Sequence, residues 1–141
     1  MSDPAITEIE LYRGPCFGTC PVFRVTFSRD GTYHFEGQSH IDPLGHREGP
    51  FPEWLFDRVA AVCDALGVLS LADAYPSNFE DGSTTVVRVR HAGGVKVIRC
   101  EAGDGSVPRL WAFAVVVEYA MREAFAIEDR DRRSVRRCGR A

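Results

Sequence analysis

Residues 22–37 read Val-Phe-Arg-Val-Thr-Phe-Ser-Arg-Asp-Gly-Thr-Tyr-His-Phe-Glu-Gly, an alternation of apolar and polar side chains on both sides of Asp-Gly. Such alternation is typical of half-buried β-strands, and Asp-Gly between two strands is a hairpin signal. A two-residue loop would mix apolar and polar side chains on each face, whereas a three-residue loop with a left-handed glycine places Phe27 beside Tyr33. That register also places Val25 beside Phe35. We therefore predict an antiparallel hairpin with the second register.

Apolar periodicity continues outward from this hairpin and predicts the element order β-β-β(-β)-α-β-β-α. The predicted strands cover residues 5–13, 22–28, 32–37, 84–91 and 96–101, with a further short strand near 39–41, and the predicted helices cover 52–66 and 109–126. In the second hairpin, a four-residue loop is expected to pair Val87 with Cys100. Because hairpin-connected strands are separated from helices along the chain, we predict an α+β fold. It would be an antiparallel sheet of five to six strands with two helices packed on one face.

Length and charge indicate one domain with a tail. A chain of 141 residues, 45% of them apolar, is long enough for one hydrophobic core. The net charge is −3, but residues 128–141 hold six arginines against three acidic residues, so this tail carries +3 and the rest of the chain −6. We predict a single domain over residues 1–127 and a basic, disordered tail over 128–141. Since no aromatic residues accompany these arginines, nucleic acid would bind the tail only weakly.

The first residues and the cysteine count favour the cytoplasm. The sequence starts Met-Ser-Asp-Pro, unlike the basic and then apolar start of a signal peptide, and it has no run of about 18 apolar residues that would span a membrane. Its five cysteines are an odd number, which argues against a framework of structural disulfides. We therefore expect a cytoplasmic protein that does not enter the membrane.

The stretch Gly-Pro-Cys-Phe-Gly-Thr-Cys-Pro, residues 14–21, is the main candidate site. It places Cys16 and Cys20 in a loop between two predicted strands. Glycine permits backbone conformations that other residues avoid, and proline fixes its own φ. The residues expected to set the loop geometry are Gly14, Gly18 and Pro21. We therefore expect a stiff loop that holds the two thiols close together.

Three interpretations of this cysteine pair are open. In the first, the thiols are packed or form a disulfide staple, which would stabilise so short a loop by about 2 kcal/mol. In the second, one thiolate attacks a peroxide or a disulfide and the other resolves the adduct, with Arg13 and Arg24 favouring the thiolate. In the third, Cys16 and Cys20 bind zinc together with two further ligands. The candidates for those further ligands are His34, His40, His46 and Asp81, although none lies at a recognised spacing.

Two other surfaces are candidates for binding. Arg24, Arg88 and Arg99 are expected on the open face of the sheet, where they form either an anion-binding surface or a solvated face of cross-strand charge pairs. The other charged residues of this face are His34, Glu36 and Arg90. The last helix has apolar side chains well beyond one face, which suits a central position on the sheet or contact with a second copy in a homodimer. Cys63 and Cys100 are expected in the core.

The sequence contains none of the common catalytic or nucleotide-binding motifs. It lacks the phosphate-binding G-x-x-x-x-G-K-[ST] and G-x-G-x-x-G patterns, and also H-E-x-x-H and G-x-S-x-G. An ordinary nucleotide-using or hydrolytic enzyme is therefore unsupported, and any enzyme activity would be thiol-dependent redox chemistry. We expect no cofactor unless the cysteine pair binds zinc.

This chain resembles an uncharacterised bacterial domain family in two motifs. They are Cys-Phe-Gly-Thr-Cys-Pro-Val-Phe at residues 16–23 and Asp-Gly-Thr-Tyr at residues 30–33, followed by Gly37 at the end of the next strand. The hallmark of that family is Cys-x-Gly-x-Cys-Pro followed by an aromatic residue and an Asp-Gly hairpin. The likeness extends over most of residues 6–126, and the tail after Ile127 lies outside it. The family has no established activity, so the resemblance implies a fold and not a function.

From the sequence we infer a small α+β protein whose functional site is the loop of Cys16 and Cys20. The main hypothesis is a redox-responsive thiol pair. The alternative is a non-enzymatic binding or structural module, in which the pair staples the loop or binds zinc. In that case an unidentified partner would contact the open face of the sheet or the last helix.

Overall fold

The computed structural model describes residues 5–16, 18–77, 83–103 and 105–138, with side chains described as far as Val135. Over these residues it is an α+β structure with one sheet and two helices. The strands are β1 (Ile6–Arg13), β2 (Val22–Ser28), β3 (Thr32–Ser39), β4 (Gly45–Pro50), β5 (Ala74–Tyr75), β6 (Thr85–His91) and β7 (Gly94–Cys100). The helices are α1 (Glu53–Ala65) and α2 (Pro108–Cys138), and a short 3-10 turn spans Val68–Ser70.

The hairpin of β2 and β3 has the predicted register. Phe27 lies opposite Tyr33 and Val25 lies opposite Phe35, and all four side chains are buried. Gly31, the last residue of the connecting loop, has φ +100°, the left-handed conformation that a three-residue loop requires at this position. These four side chains belong to the core that the sheet forms with the helices.

The sheet is larger and less regular than predicted. Its strand order is β4-β3-β2-β1-β6-β7-β5, which is seven strands rather than five or six. It is mixed rather than antiparallel, because β5 pairs with β7 in parallel. The predicted strand near 39–41 is wrong, since the edge strand β4 begins at Gly45. Periodicity missed β4 because its sequence, Gly-His-Arg-Glu-Gly-Pro, has no large apolar side chain, and it missed β5 because that strand has two residues.

The hairpin of β6 and β7 has a tighter turn than predicted. The turn has two residues rather than four, so Val87 lies opposite Ile98 and its predicted pairing with Cys100 is wrong. The backbone N–H of Gly93 in the turn donates to Nδ1 of His91 over 3.0 Å, which stabilises the two-residue form.

The core lies between one face of the sheet and the two helices. Side chains from the inner face, among them Leu11 and Ile98, pack with Val59 of α1 and Phe113 of α2 in a single apolar cluster. Cys63 and Cys100 are buried in that cluster, as predicted. Burial raises the pKa of the Cys63 thiol to about 12. The opposite face of the sheet is left for polar side chains.

Helix α2 is longer than predicted. Periodicity placed its end near Ala126, which is wrong, because the helix continues to Cys138. Residues 128–138, which we expected in a disordered tail, are therefore helical, and the predicted domain boundary between residues 127 and 128 falls inside α2. Around Glu128 the helix contacts the sheet through an ion pair with Arg47 and not through apolar side chains, so apolar periodicity does not mark its continuation. Neither helix of the described chain combines the length and the apolarity that a membrane span needs.

Candidate functional site

Cys16 and Cys20 lie in the loop between β1 and β2 and are joined by a disulfide. Their Cα atoms are 5.7 Å apart, within the usual range for disulfides. Before the pair, the backbone N–H of Gly14 donates to the carbonyl oxygen of Thr84 over 2.8 Å. After it, Val22 is buried at the start of β2. The sheet therefore holds both ends of the loop, and the disulfide closes the segment between them.

The tip of the cysteine loop faces solvent. Cys16 and Cys20 are partly exposed, and Gly18 between them is exposed. Gly18 has φ +123°, a conformation that residues with a Cβ atom rarely adopt. Pro21, also exposed, leads directly into β2. The disulfide therefore lies in a surface loop rather than in the core.

A shallow groove on the open face of the sheet begins at this loop. Its volume is about 530 Å³. Its lining residues are Glu10, Tyr12, Pro15, Arg24, Thr84, Val86 and Arg99. The guanidinium carbon of Arg24 lies 5.2 Å from the centroid of the Tyr12 ring, and its Nη1 lies 3.2 Å from Oε1 of Glu10. Pro15 of the cysteine loop therefore shares a surface with Arg24 and Arg99, two of the predicted anion-binding residues.

Each of the three arginines predicted to bind anions has a carboxylate neighbour. The nitrogen-to-oxygen distances are 3.2 Å for Arg24 and Glu10, 3.9 Å for Arg88 and Glu8, and 2.7 Å for Arg99 and Glu101. A carboxylate beside a guanidinium group competes with an incoming anion for the same N–H donors. Arg24 and Arg99 line the groove, whereas Arg88 is not among its lining residues. Anion binding at this face stays a prediction.

Two of the predicted metal ligands, His34 and His46, are brought together with Glu48. The three side chains belong to neighbouring strands, β3 and β4, and one potential ligand atom from each lies within 4.8 Å of the other two. Among the residues that the structure describes, no other group of three histidine, cysteine or acidic side chains converges in this way. Sequence spacing did not indicate the cluster, because it depends on the register of β4.

The remaining predicted zinc ligands do not join this cluster. Cys16 and Cys20 are bonded to each other, whereas zinc ligation requires two free thiolates. His40 is exposed in the turn after β3 and lies outside the cluster. Asp81 falls outside the described residues. A zinc site that contains cysteine stays a prediction for the reduced protein.

An ionic network between β3, β4 and α2 was not predicted. The Tyr33 hydroxyl donates to Oε1 of Glu128 over 2.6 Å, and Nε of Arg47 donates to the Tyr33 oxygen over 2.9 Å. Nη2 of Arg47 also donates to Oε1 of Glu128 over 3.0 Å and to Oδ1 of Asp129 over 2.9 Å. The guanidinium carbon of Arg47 lies 4.3 Å from the centroid of the Phe125 ring. These contacts hold the second half of α2 against the edge of the sheet.

The network shifts the pKa values of its members in directions that follow from its geometry. Burial is the largest influence on Glu128 and opposes its charge, but the hydrogen bonds from Tyr33 and Arg47, together with the positive charges of Arg132 and Arg47, outweigh burial, so the pKa of Glu128 is lowered. Burial, and then the bond to Glu128, raise the pKa of Tyr33 to about 12. At neutral pH the network therefore contains a neutral phenol between a fixed negative and a fixed positive charge.

The sequence alone gave little indication of this network. Arg47 and Glu128 are 81 residues apart, so no local spacing links them. However, alternation along β4 places His46 and Glu48 on the open face and Arg47 on the inner face. Once the register of β4 is known, an inward-facing arginine calls for an acidic partner, but the sequence of β4 has no apolar pattern that would reveal the strand.

Part of the wide apolar surface of α2 remains exposed. Trp111, Val115 and Tyr119 follow one another at intervals of four residues, with exposed fractions of 47%, 45% and 70%. A groove of about 190 Å³ between α1 and α2 includes Trp54 and Tyr119. The predicted homodimer through α2 stays a prediction.

Comparison with known proteins identifies a family. No curated protein matches this chain. A protein-family model described as a domain of unknown function, DUF6438, matches residues 7–120, from β1 to the middle of α2. The matched segment includes the cysteine loop and the cluster of His34, His46 and Glu48, whereas Glu128 follows it. The bacterial origin and the cysteine motif of the resemblance stay predictions. Because the match covers more than half of the sequence, the chain belongs to the DUF6438 family, whose function is unknown.

Proposed function

We propose that Cys16 and Cys20 are a redox-responsive pair whose disulfide is reduced and re-formed as conditions change. The observation that supports this proposal is the position of the disulfide, in a solvent-facing loop that borders a groove on the open face. In the reduction, a thiolate of a small thiol or of a protein dithiol attacks one sulfur, the S–S bond breaks, and the displaced sulfur takes up a proton. A second thiol resolves the mixed disulfide. The pair thus gains two electrons and two protons, and the reductant becomes a disulfide.

Reduction is expected to change the loop and leave the fold in place. The hydrogen bond of Gly14 to Thr84 and the buried side chain of Val22 hold both ends of the loop independently of the disulfide. Breaking the S–S bond would release only the segment between these anchors. That segment includes Pro15, which lines the groove. The redox state would therefore alter one wall of the groove.

The core cysteines are poor competitors for an oxidant. Cys63 and Cys100 are buried. Burial raises the pKa of Cys63 to about 12, so this thiol supplies almost no thiolate at neutral pH. In the cytoplasm, where we expect the protein, thiol buffers would act first on the accessible pair. Oxidants and thiols would therefore react selectively with Cys16 and Cys20, because Cys63 and Cys100 are buried.

The test is a redox titration of the folded protein. Cys138 is replaced by serine so that no thiol near the C-terminus contributes. The protein is equilibrated in glutathione buffers of graded potential, alkylated, and analysed by mass spectrometry of its peptides. We expect two alkylated cysteines to appear together at residues 16 and 20 as the buffer becomes more reducing, while Cys63 and Cys100 react only after unfolding. Mild peroxide should then restore the disulfide.

Two results would overturn the redox proposal. One is a disulfide that persists in excess dithiol until the protein unfolds, because a responsive pair must exchange in the native state. The other is a reduced pair that mild peroxide fails to close into a mutual disulfide. Cys16→Ser serves as the matched control, since Cys20 alone should form only mixed disulfides with glutathione.

A non-enzymatic structural or binding role is the alternative proposal. It is favoured by the short span of the disulfide, which links residues only four positions apart, and by the exposed aromatic side chains of α2. A staple would contribute about 2 kcal/mol to stability and would stay oxidised in cytoplasmic thiol buffers. The same titration therefore separates the two roles, because a staple shows no transition across those potentials.

A further inference from the structure

The outermost hairpin of the sheet, β3 and β4, carries two imidazoles and a carboxylate side by side on the open face. We propose that His34, His46 and Glu48 form a binding site for a divalent transition-metal ion, with Zn²⁺ as the best-suited ion. Nothing in this proposal depends on the cysteine pair. It assigns a site to residues that lie on different strands from the cysteine loop.

The distances between the ligand atoms are close to those of a zinc site. Nδ1 of His34 lies 3.0 Å from Oε2 of Glu48, and Nε2 of His46 lies 3.5 Å from the same oxygen. In a tetrahedral site with metal–ligand bonds of about 2.0–2.1 Å, neighbouring ligand atoms are separated by about 3.3 Å. Two of the three separations therefore already match. One ring nitrogen of each histidine also lies within 4.8 Å of the other, and rotation of the exposed rings, whose centroids are 6.1 Å apart, can bring the imidazoles closer.

The chemistry of the three ligands suits zinc. Neutral imidazole nitrogens and a carboxylate are common zinc ligands, and two histidines with one glutamate is the protein ligand set of some catalytic zinc sites. Three protein ligands leave the fourth position open to water or to another small ligand. Glu36 lies opposite His46 in the register and adds negative charge on the same face. The site would thus attract a cation before it binds one.

The strand that supplies two of the ligands is held firmly. His46 and Glu48 flank Arg47. The Arg47 side chain lies on the opposite, inner face of the sheet, where it binds Tyr33 and Glu128. Their backbone is also paired residue by residue with β3. Ligands on a fixed backbone lose less conformational entropy on binding, which is the condition for a well-formed site. The network that was missed in the sequence therefore supports the ligand positions.

The protection of an edge strand by charged side chains is an alternative explanation of these residues, and it accounts for their arrangement less well than metal binding does. Edge strands often carry charged side chains that prevent pairing with another sheet. That role needs charge anywhere along the outer face, and it does not require two histidines to approach one carboxylate oxygen. A single carboxylate oxygen shared by two imidazoles is the arrangement that a bridging cation, bound to all three groups, would complete.

The test is zinc binding by the full-length protein without an affinity tag. Cys138 is replaced by serine and the Cys16–Cys20 disulfide is kept oxidised, so that accessible thiolates do not bind the metal. Zinc chloride is titrated by isothermal calorimetry, and cobalt chloride by absorption spectroscopy. We expect one zinc per chain, and cobalt bands in the visible region without a thiolate charge-transfer band. His46→Gln and Glu48→Gln should each weaken zinc binding by at least about tenfold.

Matched controls come from the same surface. His40→Asn removes an exposed histidine outside the cluster while retaining a residue that tolerates the positive φ of 53° at that position, and it should leave the zinc affinity unchanged. Because the side chains of His34, His46 and Glu48 are 52–60% exposed, their variants should fold, and melting without zinc checks this. The proposal is overturned if zinc does not bind stoichiometrically, if His46→Gln and Glu48→Gln bind as well as the parent, or if cobalt shows thiolate ligation.

Discussion

Replacing Glu128 with glutamine tests whether the second half of α2 is held on the sheet. The substitution keeps the size of the side chain and removes its charge. Oε1 of Glu128 accepts three hydrogen bonds, one from the Tyr33 hydroxyl at 2.6 Å and two from Arg47 at 3.0 and 3.3 Å. Only 10% of the Glu128 side chain is exposed, so solvent replaces little of what the substitution removes.

We expect Glu128→Gln to lower the free energy of unfolding by about 2 kcal/mol. A hydrogen bond to a charged group contributes about 1.5–3 kcal/mol, and a neutral one about 1 kcal/mol. The glutamine oxygen still accepts from Tyr33 or Arg47, and Arg47 keeps its bond to Asp129 at 2.9 Å. The loss is therefore nearer to one charged interaction than to three. For a chain of this size it corresponds to a fall of about 6 °C in Tm.

The pH dependence of the free energy of unfolding shows how much of the effect of Glu128 comes from its charge and how much from its packing. Its pKa is lowered in the folded protein from an ordinary value of 4.5, so the unfolded chain binds this proton more readily than the folded one. The stabilisation by the charge is present above that ordinary value and is lost as the pH falls through the folded pKa. The difference in stability between the wild type and Glu128→Gln should therefore shrink as the pH falls below about 4.5.

The assay is urea unfolding followed by circular dichroism, at neutral pH and in acid steps, with the midpoint and the slope m determined together. Asp129→Asn is the matched control, because the Asp129 side chain is 45% exposed and its loss should cost less than about 1 kcal/mol. A chain that ends at Ile127 lacks both acids and should lose more than Glu128→Gln. If the truncated chain and Glu128→Gln both unfold at the same urea concentration as the wild type, the second half of α2 does not stabilise the protein through the sheet. The residues after Ile127 would then be dispensable for stability.

Three further changes have defined outcomes. Tyr33→Phe removes the donor to Glu128 and should cost about 1–2 kcal/mol in urea unfolding. Because the pKa of Tyr33 is raised from 10.0 to about 12, the wild type should lose stability above pH 10.0. In an absorbance titration the variant should lack a late-titrating phenol; if the phenol that it lacks titrates near pH 10.0 instead, the network is contradicted. Gly49→Ala places a Cβ atom against the Glu128 carboxylate and should lower stability by about 1–3 kcal/mol, so an unchanged Tm would show that the carboxylate lies elsewhere. Cys16→Ser combined with Cys20→Ser should cost about 2 kcal/mol relative to the oxidised wild type and nothing relative to the reduced one, whereas global unfolding would rule out a change confined to the loop.

The parts of the fold that depend on local alternation could be predicted from the sequence. In residues 22–37 only one register buries Phe27 and Phe35 together, because a shift by one residue would turn an entire apolar face to solvent. Strand β4 could not be predicted in this way, since its inner face carries Gly45, Arg47 and Gly49. The partner that makes this face stable, Glu128, lies far along the chain.

The candidate site could also be predicted from the sequence only where it depends on local spacing. The proximity of Cys16 and Cys20 follows from their spacing and from the glycines and prolines around them, so it was accessible from the sequence. The groove beside them combines residues of β1, β2, β6 and β7, and its shape depends on the strand order. The cluster of His34, His46 and Glu48 depends on the register of β4, which has no apolar pattern to reveal it.

The residues covered by the family match indicate which proposals concern the whole family and which concern this chain. The cysteine loop and the cluster of His34, His46 and Glu48 lie within residues 7–120, so proposals about them concern the domain that defines the family. Glu128 lies beyond that segment, yet its partners Tyr33 and Arg47 lie inside it. The later turns of α2 therefore complete an ion pair that the matched segment leaves without its acid. If zinc binding survives in a chain that ends at Ile127, the metal site is a property of the domain alone; if it is lost while the chain stays folded, the site requires the fixed position of β4 that Glu128 provides.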